Sequence, residues 1–202
     1  MTDSKASLDW NRGYTELVTF GSHILYADSR LVALSLESHR AAQFWSVDTS
    51  WCIDSKAWFD DYRKRGKLIL FRLLNGNQRY LLSPSWCEFR NARNRGLSMT
   101  AFLERFPKIE PTVRTVMQND WKALFYFNLV RENTRFERSL NLTGLRVGSL
   151  PAGLSVRDDL VLRHNPIGEL PEGLFVGGDL DLRNTVIADI PRSNRILGRV
   201  IR

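Results

Sequence analysis

Long apolar runs are missing: no stretch of this 202-residue chain approaches the roughly 18 to 20 residues that a membrane-spanning helix needs. The opening MTDSKASLDWNRGY has neither a basic n-region nor an apolar h-region, which predicts no cleaved secretion signal, a cytoplasmic location and no membrane partner. Cysteine is scarce. Cys52 and Cys87 are too few for a disulfide framework and are expected as two reduced, buried thiols. The three histidines, His23, His39 and His164, lie far apart and offer no metal-ligand spacing.

Motifs that carry chemistry are missing as well. There is no Gly-rich phosphate loop, no G-x-S-x-G and no H-E-x-x-H. The carboxylate pairs Asp60-Asp61 and Asp158-Asp159 are adjacent, so their side chains diverge and read as solvated surface. Cys52 with His39 and either Asp48 or Asp54 composes a nucleophile, base and orienting acid on paper. The apolar neighbours Trp51 and Ile53 argue instead for an unreactive thiol. The expectation is a protein that is not an enzyme and takes no cofactor or metal.

What remains is an ordinary globular composition, 43% hydrophobic and 25% charged, with room for one medium domain or two small ones. Aromatic residues are plentiful at 11%, six of them Trp, which points to well-packed layers or an interaction face. The formal charge of +7 is unevenly spread. Between Arg63 and Arg95 there are nine basic residues (Arg63, Lys64, Arg65, Lys67, Arg72, Arg79, Arg90, Arg93, Arg95) against the single acid Glu88, a local +8. Such a stretch attracts phosphate backbones or an acidic protein, or simply keeps the surface solvated. Trp86, Phe89 and Tyr80 are interleaved with it and are available on paper for base stacking.

The strongest signal is a repeat. From Ser139 onward apolar residues recur every 20 positions: Leu140, Leu160, Leu180 and Val200; Leu142, Leu162 and Leu182; Val147, Ile167 and Ile187; and the pairs Leu150-Pro151, Leu170-Pro171 and Ile190-Pro191. Within one period, Asp179 to Arg183 alternates apolar and polar and reads as a short strand with Leu180 and Leu182 inward. Gly177-Gly178 makes the turn before it, and each Leu-Pro sets an extended corner. Strand stacked on strand buries a leucine ladder that no single coil could bury. The outward positions Asn141, Thr143, Val161, Arg163, Asp181 and Arg183 then present one sheet face.

These coils resemble leucine-rich repeats of the short bacterial class. Leu160-x-Leu162-x-x-Asn165-x-Ile167 matches the L-x-L-x-x-N-x-L heart of that motif, while the asparagine column holds Leu145 and Thr185 in the neighbouring coils. The likeness is to the LPxGLxVxGxLxLxxTxI coil of bacterial and phage proteins, and it implies recognition of a macromolecular partner. The preceding segment is similar to an uncharacterised phage-type domain with a TKWC-like element, on Thr49, Trp51, Cys52, Phe59, Tyr62, Gly66, Leu68 and Phe89. Where that pattern has acids after Phe89, this chain has Arg90, Asn91, Arg93 and Asn94.

Before the repeat, Leu31–Trp45 has helix-compatible spacing, with Leu31, Leu34, Ala41, Phe44 and Trp45 as core contacts. A short helix follows over Lys56–Arg65 and stops at Gly66. Lys67–Leu74 and Gln78–Ser83 read as a hairpin turning at Asn75-Gly76-Asn77. Met99–Phe106 reads as a short helix and Val113–Val130 as one long amphipathic helix. The predicted architecture is an α+β domain over 1–137, followed over 138–202 by a leucine-rich-repeat-like parallel β-coil stack. The predicted role is binding a protein, as an adaptor or as a phage or mobile-element inhibitor of a host defence complex. The contact residues would be Arg63, Lys64, Arg65, Arg90, Arg93 and Arg95 in the basic segment, and Thr143, Arg163, Asp181 and Arg183 on the coils. Nucleic-acid binding through 63–95 is the alternative.

Overall fold

The computed structural model describes residues 20–76 and 78–202, which fall into two compact units that divide between Val116 and Met117. The first is α+β. Five antiparallel strands, β1 (Ser22–Ala27), β2 (Leu31–Leu36), β3 (Ile69–Leu73), β4 (Arg79–Ser83) and β5 (Glu88–Asn91), pair in chain order. Helices α1 (His39–Ser46) and α2 (Lys56–Arg65) are inserted between β2 and β3. The β3–β4 turn passes through Asn75 and Gly76, and Asn77 lies outside the described residues.

The sheet is buried on both faces. Val32, Leu34, Leu36, Leu68, Leu70 and Leu81 pack with Trp45 and Phe59 of α1 and α2. On the opposite face, Phe71 and Phe89 meet Phe102 of α3 (Met99–Arg105) at ring distances of 5.1 and 5.0 Å. This explains the main correction to the sequence reading. Leu31–Leu36 is a central strand, all six residues buried, and not the start of a helix. An apolar run covered on both sides loses the alternation that marks a strand and mimics a helix face. The helix begins only after Ser38, whose hydroxyl accepts from the Ala41 amide at 3.1 Å. Phe44, expected in the core, is exposed on its outer side and stacks on Phe20.

Val113–Val130 is likewise not one helix. It divides into α4 (Glu110–Met117) and α5 (Trp121–Tyr126). Asp120 is non-helical, and its carboxylate accepts from the Ala123 amide at 3.1 Å, starting a second helix where the apolar stripe alone would continue the first.

The second unit is a parallel β-solenoid of about three turns. Each coil contributes two strands of two residues. One column stacks Arg135–Phe136, Ser155–Val156, Phe175–Val176 and Arg195–Ile196 (β6, β8, β10, β12). The other stacks Leu140–Asn141, Leu160–Val161, Leu180–Asp181 and Val200–Ile201 (β7, β9, β11, β13). The sequence reading held one strand per coil and missed the first column. Its inward residues Val156 and Val176 are fully buried beside the expected Leu160, Leu162, Leu180 and Leu182. Coils sit so close that a Cβ on Gly177 would overlap the carbonyl oxygen of Arg157.

Polar ladders hold the stack in register. The Asp159 carboxylate accepts from the Asp179 amide, and that of Asp179 accepts from the Arg199 amide, both at 2.8 Å. Asn165 is buried and bridges two coils. Its Oδ1 accepts from the Val147 amide at 2.9 Å, and its Nδ2 donates to the carbonyls of Leu142 (2.8 Å) and Leu162 (2.9 Å). At one end Phe125 of α5 enters the solenoid core. In the coil over 194–202 the inward leucine columns turn polar: Asn194 accepts from the Leu174 amide, and Arg202 donates to the Ile187 carbonyl. Asn165→Ala leaves the Val147 amide without this partner and takes one donor from each of the Leu142 and Leu162 carbonyls, the former keeping the Leu145 amide, so unfolding free energy is expected to fall by about 2 kcal/mol, read from the urea midpoint of the full chain.

Candidate functional site

Most of the basic segment is engaged within the first unit. Arg79 donates to the carbonyls of Trp45 (2.9 Å) and Val47 (2.6 Å), tying β4 to the end of α1. Arg72 lies 5.5 Å over the Trp45 ring. Burial pushes the pKa values of both guanidinium groups down, with each other's charge adding to the effect at Arg72. Arg63 pairs with Glu37 at 2.6 Å, Arg90 pairs with Glu88 at 2.7 Å, and Arg65 covers the Trp86 ring at 4.1 Å. Of the six basic residues singled out in the sequence, only Lys64, Arg93 and Arg95 are exposed without an ion pair or ring contact among the described residues; Lys67 joins them. The aromatics are committed too. Phe89 is buried, Tyr80 sits against Phe89 and Phe102, and Trp86 lies between Arg65 and Tyr62.

Cys52 lines a small pocket with Trp51, Tyr62, Glu88 and Arg90. Both cysteines are half-buried, not buried as expected. Tyr62 donates to one oxygen of Glu88 at 2.7 Å and Arg90 donates to the other at 2.7 Å. Burial first, then the bond to Glu88, pushes the Tyr62 phenol well above its ordinary range. The Cys52 thiol is also pushed up, chiefly by burial, with Glu88 and Asp54 adding to it. His39 donates through Nε2 to the backbone carbonyl of Asp54 at 2.7 Å, so that ring nitrogen is turned to the main chain and not to a carboxylate. Among the described residues no group of three His, Cys, Asp or Glu side chains gathers to hold a metal ion.

On the solenoid, the outward positions behave differently from coil to coil. Asn141 accepts from the Thr143 amide and hydroxyl, a local turn that folds Thr143 back on its own coil. Asp181, expected to project from the face, is 4% exposed. Its neighbours in register are Val161 and Ile201, and arginines cover it. Arg163, one coil earlier, donates Nε to Oδ2 at 2.5 Å, while Arg183 donates Nε to Oδ1 at 3.0 Å and Nη2 to Oδ2 at 2.8 Å. Both arginine side chains stay partly exposed, at 39% and 42%. The structure thus joins three of the four coil residues singled out in the sequence and leaves Thr143 apart.

Beside them stands a pair the sequence reading missed: Asn184 and His164, 3.3 Å apart through Nδ2 and Nε2. Their signal was visible as a column. Gly144, His164 and Asn184 are 20 apart, and all three adopt positive φ, a conformation that glycine and asparagine at equivalent positions announce. No family model, curated protein or solved structure matches this chain.

Two outcomes follow for the Cys52 pocket. Because the thiol's pKa is raised, less thiolate exists at pH 8 than in a free cysteine, so iodoacetamide should label Cys52 more slowly in the folded protein than in urea, as read by peptide mass mapping. Because Tyr62 keeps its proton longer when folded than when unfolded, its contribution to stability is complete below about pH 10 and is lost as pH rises beyond it. Tyr62→Phe should therefore be less stable than the parent near neutrality, with the gap closing in alkaline urea titrations.

Proposed function

We propose that this chain is a non-enzymatic protein-recognition module, acting as an adaptor or as a phage or mobile-element inhibitor of a host defence complex. The observation that carries recognition is the Arg163–Asp181–Arg183 cluster: two partly exposed arginines, each in the turn after its coil's strand, clamped by one buried carboxylate of β11. Arginines held this way have already lost the side-chain freedom that binding would otherwise cost, and arginine is enriched among residues that dominate protein interfaces. The phage or inhibitor role rests on the resemblance of both halves of the sequence to phage-type segments.

Nucleic-acid binding has its own support in the exposed Lys64, Lys67, Arg93 and Arg95. Against it stand the internal engagement of Arg63, Arg72, Arg79 and Arg90 and of all three stacking candidates. Affinity capture from a bacterial lysate, with and without nuclease, separates the two. A discrete protein that survives nuclease and is lost with the triple variant Arg163→Gln/Asp181→Asn/Arg183→Gln, which removes both arginines without leaving Asp181 charged and unpaired, is the expected result. Only nuclease-sensitive material, lost instead with Lys64, Lys67, Arg93 and Arg95 changed to Glu, would overturn the reading. Arg90 is left out because reversing it would break the Glu88 pair and confuse folding with binding.

A further inference from the structure

We infer that Arg163 and Arg183 together form a receptor for a carboxylate, the side chain of an aspartate or glutamate in an acidic segment of the partner protein. This deepens the recognition reading above and rests on it. The argument begins with charge. Among the described ion pairs of the solenoid, Arg135–Glu137 and Arg199–Asp179 balance one to one. At Asp181 alone two cations share one anion, leaving a net positive charge in place.

That charge is positioned and not free to move. The Asp181 side chain is 6% exposed, flanked in register by Val161 and Ile201, so its carboxylate needs both arginines to compensate the loss of water. Arg183 meets it through two nitrogens and Arg163 through Nε alone. Each guanidinium therefore keeps N–H donors that bind nothing among the described residues, in the planar fork that suits a carboxylate. The two groups reach the same oxygen, Oδ2, which holds them next to one another.

The surroundings favour a protein carboxylate over a nucleic-acid backbone. Val161 and Ile201 are apolar, Thr143 is folded onto Asn141, and the neighbouring His164–Asn184 pair is hydrogen-bonded. One localised excess charge in such a setting matches a single acidic side chain. A phosphodiester chain is instead held by a track of cations, one for each neutralised phosphate.

The test uses the full chain and a fluorescein-labelled hexaglutamate peptide followed by anisotropy at physiological salt, with hexaglutamine as the uncharged control. Arg163→Gln/Arg183→Gln should weaken hexaglutamate binding about tenfold, the loss expected for charge-assisted hydrogen bonds. Changing Lys64, Lys67, Arg93 and Arg95 to Gln should leave it within about twofold, as for charges that take no part in the contact. Because the double variant leaves Asp181 buried without its partners, the triple variant Arg163→Gln/Asp181→Asn/Arg183→Gln, whose cluster is neutral, is measured beside it. The proposal is overturned if the triple variant binds hexaglutamate as the parent does, or if the basic-segment variant carries the loss. It is also overturned if a dodecathymidine oligonucleotide binds more tightly through the same two arginines. A nuclease-resistant partner that needs Arg163 and Arg183 while hexaglutamate does not bind would refute the carboxylate receptor alone. Nuclease-sensitive capture would refute the recognition reading instead.

Discussion

Register between coils is the constraint on which the second unit depends. Each strand residue lies beside its equivalent twenty positions away, and each coil closes its main-chain hydrogen bonds on the next, as in Leu160 N–H to Asp179 O at 2.9 Å and Leu180 N–H to Arg199 O at 2.8 Å. A one-residue slip would turn every inward leucine outward. The polar side chains that bridge coils, Asp159 and Asp179 on following amides and the single Asn165 across two coils, make such a slip costly as well as unfavourable to the core.

The same constraint produces the recognition cluster. Stacking brings Arg163 and Asp181, eighteen residues apart, within ion-pair distance, because position 163 in one coil lies beside position 183 in the next. Burial of Asp181 between Val161 and Ile201 then makes the pairing obligatory. A surface position has become an internal anchor, and its arginines are left as the outward groups. In the first unit arginines serve another purpose. Arg72 and Arg79 close the sheet against Trp45 and the end of α1, so a segment of local charge +8 presents far fewer cations than its sequence contains.

The two units differ in how openly their sequences declare them. The coils were legible because translation repeats the same physical demand: an inward position must be apolar each time it recurs. The first unit has no such redundancy. Its β2 strand hides its period by burial on both faces, and the break between α4 and α5 depends on one capping side chain, Asp120, within an otherwise helical stripe. The hairpin of β3 and β4 and the helix over Lys56–Arg65 were legible because glycine and asparagine mark their ends.

The sequence alone therefore determined the 20-residue period, the leucine columns that make a solenoid core, the mixed α+β character of the first unit and the concentration of charge between Arg63 and Arg95. Tertiary structure decided which of those charges reach solvent, since a guanidinium's partner is chosen by packing and not by spacing along the chain. It also decided that Asp181 is covered, that Arg163 and Arg183 share it, and that each coil has a second strand. These depend on what lies beside a residue in the neighbouring coil, where the energy of a buried charge is set by its surroundings.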